Sequence, residues 1–281
     1  MTVAVCKVPE DVLTSRERRL REIVGSYGSV VVAFSGGVDS AYLAYMASRT
    51  LGDRALAVTA DSPSYSERHR RLAIETAEQF GLRHEIIRTD ELDRPEYRAN
   101  PANRCYFCKH ELYSHLAQMA ARRHAVVVDG SNADDRGDYR PGRQAAREFG
   151  VRSPLDEVDL RKSEIRELSH RAGLPGWDEP ASACLSSRIP YHTEVTDEKL
   201  RRIERAEQAL DTLGFRVYRV RHHDELARVE IGCDELARAL DPETRAAIVR
   251  EIKATGYRYV TLDLQGYRTG SLNEGLLLRP A

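Results

Sequence analysis

The sequence predicts an α/β protein, a doubly wound parallel sheet followed by a smaller C-terminal α+β domain. Short runs of small and β-branched apolar residues at Val30–Ala33, Ala55–Ala60 and Ala125–Val128 suit strands buried on both faces. Stretches with helical spacing separate them, and strands that alternate with helices indicate βαβ units and parallel pairing. Past about residue 190 the order changes to helix, strand, strand, helix, strand, which reads as helices on an antiparallel or mixed sheet.

The elements follow in order. Pro9–Tyr27 is a surface helix with Leu13, Leu20, Ile23 and Val24 on one face. Val30–Ala33 is the first strand; Ser35-Gly36-Gly37 turns the chain, and a helix runs from Val38 to Ser48. Ala55–Ala60 ends in the turn cluster Asp61-Ser62-Pro63. Tyr65–Gly81 is a helix closed by its glycine, and His84–Arg88 is the third strand. A helix from about Tyr106 to Arg122 leads to the fourth strand and the turn Asp129-Gly130-Ser131. The loops at Ser35, Asp61 and Gly130 then gather at one sheet edge, where such sheets bind ligands. In the C-terminal part, Thr196–Leu213 is a helix, Phe215–Val220 and Ala227–Ile231 are strands, Glu235–Ala254 is a helix and Tyr257–Leu264 a last strand. The expected domains are 1–190 and 191–281, with the boundary near Ile189–Thr193.

Composition narrows the function classes. With 281 residues, 41% hydrophobic and 31% charged, the chain suits a soluble globular protein of one large or two modest domains. A net charge of −1 argues against a generally basic nucleic-acid binder. No apolar run approaches the roughly 18 residues that span a bilayer, and the apolar start before Pro9 and Glu10 is short for a signal peptide. Five cysteines, an odd number without a secreted framework, point to the cytoplasm, with thiols reduced or holding metal.

The segment Val30–Ser40, VVVAFSGGVDS, carries the strongest chemistry. Gly36 and Gly37 let backbone N–H groups approach a ligand, and the following helix adds its positive end. Ser35 and Ser40 add hydroxyl donors. Asp39 repels a bare phosphate and therefore implies a divalent cation, with Asp135 (or Asp134 or Asp138) as a second oxygen ligand for Mg²⁺. Lys162 and Arg166 either meet departing phosphate charge or form an exposed helix face. Cys105 and Cys108, in NRCYFCK, can close on one metal, one iron–sulfur cluster or one disulfide. Cys184 lies in PASACLSSRIPY with Ser187 and Arg188, and Arg188 is a suitable anion site. Three cysteines in two loops match a 4Fe–4S cluster with one iron left open. Cys6 and Cys233 lack such surroundings. Arg219, Arg221 and His222, in RVYRVRHH, are either a patch for a phosphorylated substrate or a neighbouring protomer, or exposed strand charges.

SGGVDS resembles the PP-loop of the ATP pyrophosphatase superfamily (adenine nucleotide alpha hydrolase-like), and no Gly-Lys-Ser/Thr follows it to make a Walker A loop. Together with NRCYFCK, DGSNADDRGDYRPG and ACLSSRIPY, it resembles the LarE family over nearly the whole chain. That resemblance implies an ATP-dependent sulfur transferase in nickel-pincer nucleotide cofactor biosynthesis. Its substrate would be a pyridinium dicarboxylic acid mononucleotide whose carboxylates are adenylated before sulfur replaces AMP. The resemblance supports Ser187 and Arg188 as substrate contacts, and Glu207 resembles a family position facing the transfer site. One branch of the family consumes a cysteine sulfur, lacks the C-x-x-C and carries its donor where this chain has Ala183. The other carries three cysteines, so Cys105, Cys108 and Cys184 place this chain with the cluster branch, supplied by sulfide or a sulfur carrier. Sacrifice of Cys184 is the alternative. Family members form homo-oligomers, which implies one here. Rival readings are an amide-forming ligase resembling NAD or GMP synthetases, a tRNA thiolase, and a nucleotide-binding or iron–sulfur sensing module without turnover.

Overall fold

The computed structural model describes residues 10–137, 141–180 and 183–268. Cys6 and Asp138 lie outside the described residues. In chain order, α1 (Glu10–Ser26), β1 (Val30–Ala33), α2 (Val38–Leu51), β2 (Ala55–Asp61), α3 (Glu67–Phe80) and β3 (His84–Arg88) come first. Next are α4 (Pro95–Arg98), α5 (Arg104–Arg123), β4 (Val126–Val128), α6 (Gly142–Glu148), α7 (Pro154–Glu157) and α8 (Lys162–Arg171). The remainder is α9 (Asp197–Thr212), β5 (Tyr218–His223), β6 (Leu226–Ile231), α10 (Leu236–Leu240), α11 (Pro242–Ala254) and β7 (Tyr259–Leu262). Among the described residues no helix is long and apolar enough to cross a membrane.

The chain divides into two compact units, and a single cut in sequence does not separate them. The first comprises Met1–Asp61, Glu67–Thr89 and Cys105–Glu179; the second comprises Ser62–Ser66, Asp90–Arg104 and Pro180–Ala281.

The first unit holds a fully parallel sheet of order β3-β2-β1-β4. Alternation splits each central strand between two cores. Val30, Val32, Ala55 and Ala57 face one layer with α1, α2 and α8, where Leu20, Val24, Leu43, Met46 and Ile165 are buried. Val31, Ala33, Leu56 and Val58 face the other layer with Tyr113, Leu116 and Ala120 of α5. Two-sided burial is why these strands read as unbroken apolar runs. The chain steps from β1 to β2 and β3 on one side, then returns to place β4 on the other. The sheet therefore has its topological switch point between β1 and β4, and a doubly wound sheet binds ligands at that crevice.

The second unit holds a mixed sheet: β5 pairs antiparallel with β6, and β6 pairs parallel with β7. Ala206 and Leu210 of α9 and Ile248 and Ile252 of α11 cover one face of it. Two expectations change here. The strand predicted at Phe215–Val220 lies at Tyr218–His223, because Phe215 packs into the core beyond the end of α9. The single helix predicted over Glu235–Ala254 is broken. Pro242 starts α11 at its first turn, where a missing N–H costs nothing, and Asp241 caps it by accepting from the Thr244 N–H at 3.1 Å.

Candidate active site

The phosphate loop joins β1 to α2. Gly36 has φ +67°, and a Cβ there would lie 2.8 Å from the His69 carbonyl and 3.0 Å from the Ala73 nitrogen, so α3 leaves no room for a side chain. Gly37 occupies the N-cap of α2 in extended conformation, and no side chain caps the helix. Its first N–H groups thus stay available to an anion. The hydroxyls of Ser35 and Ser40 lie 3.1 Å apart, and Ser40 also donates to Gly37 O at 2.9 Å. Ser40 was expected to offer its hydroxyl to a ligand; buried, it instead braces the loop from inside.

The loop after β4 comes against this one. A Cβ on Gly130 would sit 2.9 Å from Ser40 N and 3.2 Å from Asp39 C, so the glycine permits backbone-to-backbone approach. Buried Asp129 anchors that loop by accepting from Tyr113, Ser131 and Ser153. Asp135 closes a capping box with Asn132, and its carboxylate accepts from the Asn132 N–H at 3.0 Å. Lys162, whose role the sequence left open, belongs to this site. Its Nζ lies 2.5 Å from Asp39 Oδ2 and its backbone N–H donates to Asp134 at 2.8 Å. Arg166 donates to the carbonyls of Trp177 and Glu179. Burial pushes the Asp39 carboxyl up from its usual range, Lys162 pulls it down, and nearby Asp135 adds to the rise. Asp39 Oδ1 is buried without a hydrogen-bond partner. An orphaned carboxylate oxygen beside a second carboxylate suits a hard divalent cation, so Asp39 and Asp135 fit Mg²⁺. Asp61 ends β2, half-exposed, with Arg70 of α3 at 3.3 Å.

Cys105 and Cys108 lie near the start of α5, an i,i+3 pair on one side of the helix. Cys105 is exposed, and Cys108 and Cys184 are partly buried. Cys184 belongs to the second unit and opens the one-turn helix Leu185–Arg188. Among the described residues no three His, Cys, Asp or Glu side chains group as a metal site. Cys233 is exposed, with its thiol 3.8 Å from Gln265 O.

Arg188 was expected as an anion site, but its guanidinium is 3% exposed and committed within the protein. It grips Glu207 through two bonds of 2.8 and 2.9 Å and donates to the carbonyls of Ala183 and Cys184. Glu207 is buried rather than on the surface of α9, and it also accepts from the Val220 N–H. Burial would raise its carboxyl; Arg188, then Arg219, bring it below the usual range. Ser187 is partly buried, and its hydroxyl accepts from Arg188 at 3.0 Å. Arg219 and Arg221 are buried rather than exposed strand charges, and two-residue spacing puts both on one face of β5. Arg221 makes two bonds to Glu230 and donates to Ser187 O at 2.9 Å. Arg219 lies over the Tyr267 ring at 4.9 Å, and burial beside Arg188 lowers its affinity for a proton.

The sequence did not single out Tyr97, Asn100 and Arg104, which also hold the Cys184 turn. Tyr97 OH lies 2.6 Å from Ser186 Oγ and Arg104 donates to Ser186 O at 3.0 Å. Asn100 donates to Pro190 O and Thr193 O at 2.8 and 2.9 Å. Asn100-Pro101 signals a turn in the sequence, but nothing local says where its amide points.

A glycine turn that leaves a helix N-terminus uncapped at the switch point of a parallel sheet makes a phosphate site, and the comparisons assign it to the PP-loop class of ATP-using enzymes. The NAD synthase family model matches residues 12–133. An uncharacterized protein of Synechocystis is 45% identical over 94% of this chain and 99% of its own length. The pyridinium-3,5-bisthiocarboxylic acid mononucleotide synthase of Lactiplantibacillus plantarum is 38% identical over 88% of this chain and 90% of its own. One component of the glutamine-hydrolyzing GMP synthase of Pyrococcus furiosus is 26% identical over 75% of this chain and 72% of its own. The chain belongs to the LarE family, that of the bisthiocarboxylic acid mononucleotide synthase.

Proposed function

We propose that the protein is an ATP-dependent sulfur transferase of nickel-pincer nucleotide cofactor biosynthesis, acting on pyridinium-3,5-biscarboxylic acid mononucleotide. The observation that carries this reading is the likeness to the bisthiocarboxylic acid mononucleotide synthase over 90% of that protein's length. A substrate carboxylate attacks the α-phosphorus of ATP, the α–β phosphoanhydride breaks and pyrophosphate leaves. A sulfur nucleophile then attacks the acyl carbon, AMP leaves, and the thiocarboxylate remains; repetition on the second carboxylate yields the bisthiocarboxylate.

Gly36, Gly37 and the first turn of α2 receive phosphate oxygens, with Gly130 closing the loop from the other side and Asp61 marking the end of β2. Asp39 and Asp135 would hold Mg²⁺, which neutralises phosphate charge. Lys162 stands against Asp39 and meets the charge of the departing pyrophosphate. Arg188, Arg219, Arg221, Glu207 and Ser187 frame the Cys184 turn on the substrate side. The donor set of Cys105, Cys108 and Cys184 suits a 4Fe–4S cluster, which would supply a sulfide on its open iron. Consumption of the Cys184 sulfur is the competing route, and its product is dehydroalanine with the mass loss of one H₂S. We place the protein in the cytoplasm, as a homo-oligomer that takes its sulfur from sulfide or a carrier.

The test combines iron analysis with substitution. Anaerobic reconstitution is expected to load about four irons per chain, and Cys105→Ala and Cys184→Ala are each expected to abolish sulfur transfer. Full transfer by an iron-free chain with Cys184 intact after turnover contradicts the cluster. The match to the NAD synthase model and the likeness to GMP synthase favour one second reading, an amide-forming ligase. In that case both cysteine variants keep full activity with ammonia.

A further inference from the structure

The turn that presents Cys184 has nearly every backbone oxygen claimed by a side chain. Arg188 holds the carbonyls of Ala183 and Cys184, Arg104 that of Ser186 and Arg221 that of Ser187. Asn100 holds the carbonyl of Pro190 at 2.8 Å. Side-chain hydrogen bonds go mostly to backbone or water, and here four side chains converge on five carbonyls of one turn. Two of the holding groups, Asn100 and Arg104, come from one short segment that carries no chemistry in the reaction above, and Tyr97 of the same segment meets the Ser186 hydroxyl.

Asn100 is the joint of that segment. It is fully buried and adopts φ +53°, a region in which Asn is among the few tolerated residues. Its NH₂ donates to carbonyls of the turn, its Oδ1 accepts from Arg104, and its own carbonyl accepts from His192 N–H at 2.9 Å. This site needs donor and acceptor in one short side chain, so neither Asp nor a hydrophobic residue replaces it. Arg104, 3% exposed, extends from Asn100 to Ser186 O. Tyr97 OH reaches the Ser186 hydroxyl at 2.6 Å.

We propose that Asn100 and Arg104, seconded by Tyr97, are positioning residues that hold the Cys184 turn in the geometry required for the sulfur-transfer half of the reaction. This inference rests on the sulfur-transferase reading. Arg188 itself donates to the Cys184 carbonyl at 3.1 Å, so the bracket fixes the backbone that carries the thiol beside that charge. Carbonyls locked on separate side chains cannot swing with the thiol, and a group held within about 0.5 Å is what attack on the activated acyl carbon demands. The adenylation half uses the phosphate loop and does not depend on the bracket.

The experiment compares Asn100→Asp, Arg104→Lys and Tyr97→Phe with Tyr218→Phe, which removes a hydroxyl bond to Asp211 elsewhere in the same unit. Three quantities are read: substrate-dependent pyrophosphate release, sulfur incorporation, and, in the purified chain before iron is loaded, the rate of Cys184 alkylation followed by peptide mass spectrometry. The first two variants are expected to keep pyrophosphate release within a few-fold of the parent, with kcat for sulfur incorporation down on the order of tenfold or more and Cys184 alkylation changed by a similar factor. Tyr97→Phe, which loses one hydroxyl, is expected to show a smaller shift of the same kind, and Tyr218→Phe none. Folded variants whose alkylation rate and transfer-to-adenylation ratio equal the parent's overturn the proposal. So does a parallel loss of both half-reactions at unchanged alkylation. If the parent itself incorporates no sulfur, the functional reading fails, and the alkylation arm alone decides whether the bracket positions the thiol. Should Asn100→Asp not fold, Arg104→Lys and Tyr97→Phe carry the same test.

Discussion

Gly130 shows how little freedom the site leaves at single residues. The contacts a side chain would make there are to the backbone of Asp39 and Ser40, which cannot swing aside. Gly130→Ala therefore pushes the start of α2 away from the β4 loop. The expected outcome is a folded protein destabilised by about 1–3 kcal/mol, as for other overpacked sites, with pyrophosphate release lowered out of proportion to that loss. Thermal unfolding and a pyrophosphate assay read the two effects. Gly25→Ala, whose Cβ would meet only Thr50 Cγ2 at 3.6 Å near the end of α1, is the control and is expected to be neutral in both. The residue scale is also where the sequence was least legible. Lys162 could be drawn equally well on an exposed face, and only the fold brings it 2.5 Å from Asp39 across 123 positions of chain. Arg188 and Glu207 read as separate polar residues nineteen apart, and their pairing in a buried clamp is invisible until α9 is packed.

Among the elements, β5 concentrates buried charge. Arg219 and Arg221 face one side of it, while His222 faces the helices, 1% exposed, with Nδ1 3.0 Å from Tyr257 OH and Nε2 without a partner. Burial, with Lys199 and Arg202 on α9 against the compensating charge of Asp224, pushes His222 down to about 4. His223 beside it on β5 repels a second charge as well. A histidine held neutral stabilises the fold fully above its unfolded value near 6.5, and that stability drains as pH falls from there toward 4. Glu207 adds a second loss lower down: its carboxyl sits below the usual range, so its contribution fades as pH drops beneath about 4.5. Between pH 6.5 and 4 the parent is expected to lose on the order of 3 kcal/mol more than His222→Gln. Thermal unfolding across that range measures it, and equal slopes for the two proteins contradict it. Elements themselves were well marked in the sequence. Unbroken valine and alanine runs reveal β1, β2 and β4 because both faces are covered, and the leucine spacing reveals α9. Pro242 was the signal that should have split the last long helix, since an interior proline removes a bond that only a first turn can spare.

At the scale of the molecule, a parallel sheet with its switch point at the phosphate loop explains where phosphates bind, and the second unit explains why the sequence needed more than that loop to be read. The phosphate loop is contiguous and therefore legible from eleven residues. The Cys184 turn is assembled from 62–66, 90–104, α9 and β5, segments whose relation no local pattern encodes. Leu185 N–H, for example, donates to Ser64 O at 2.9 Å, and Ser64 in turn donates to buried Glu91 at 2.7 Å. In the proposed reaction ATP activates a carboxylate for attack by sulfur. The most direct measurement is the stoichiometry of one reaction, with the purified protein given ATP, Mg²⁺, the pyridinium dicarboxylate mononucleotide and a sulfide source. One pyrophosphate and one AMP are expected for each carboxylate oxygen replaced by sulfur, read by the mass of the product. Pyrophosphate release that ignores the pyridinium substrate, or a product carrying nitrogen in place of sulfur, would contradict it.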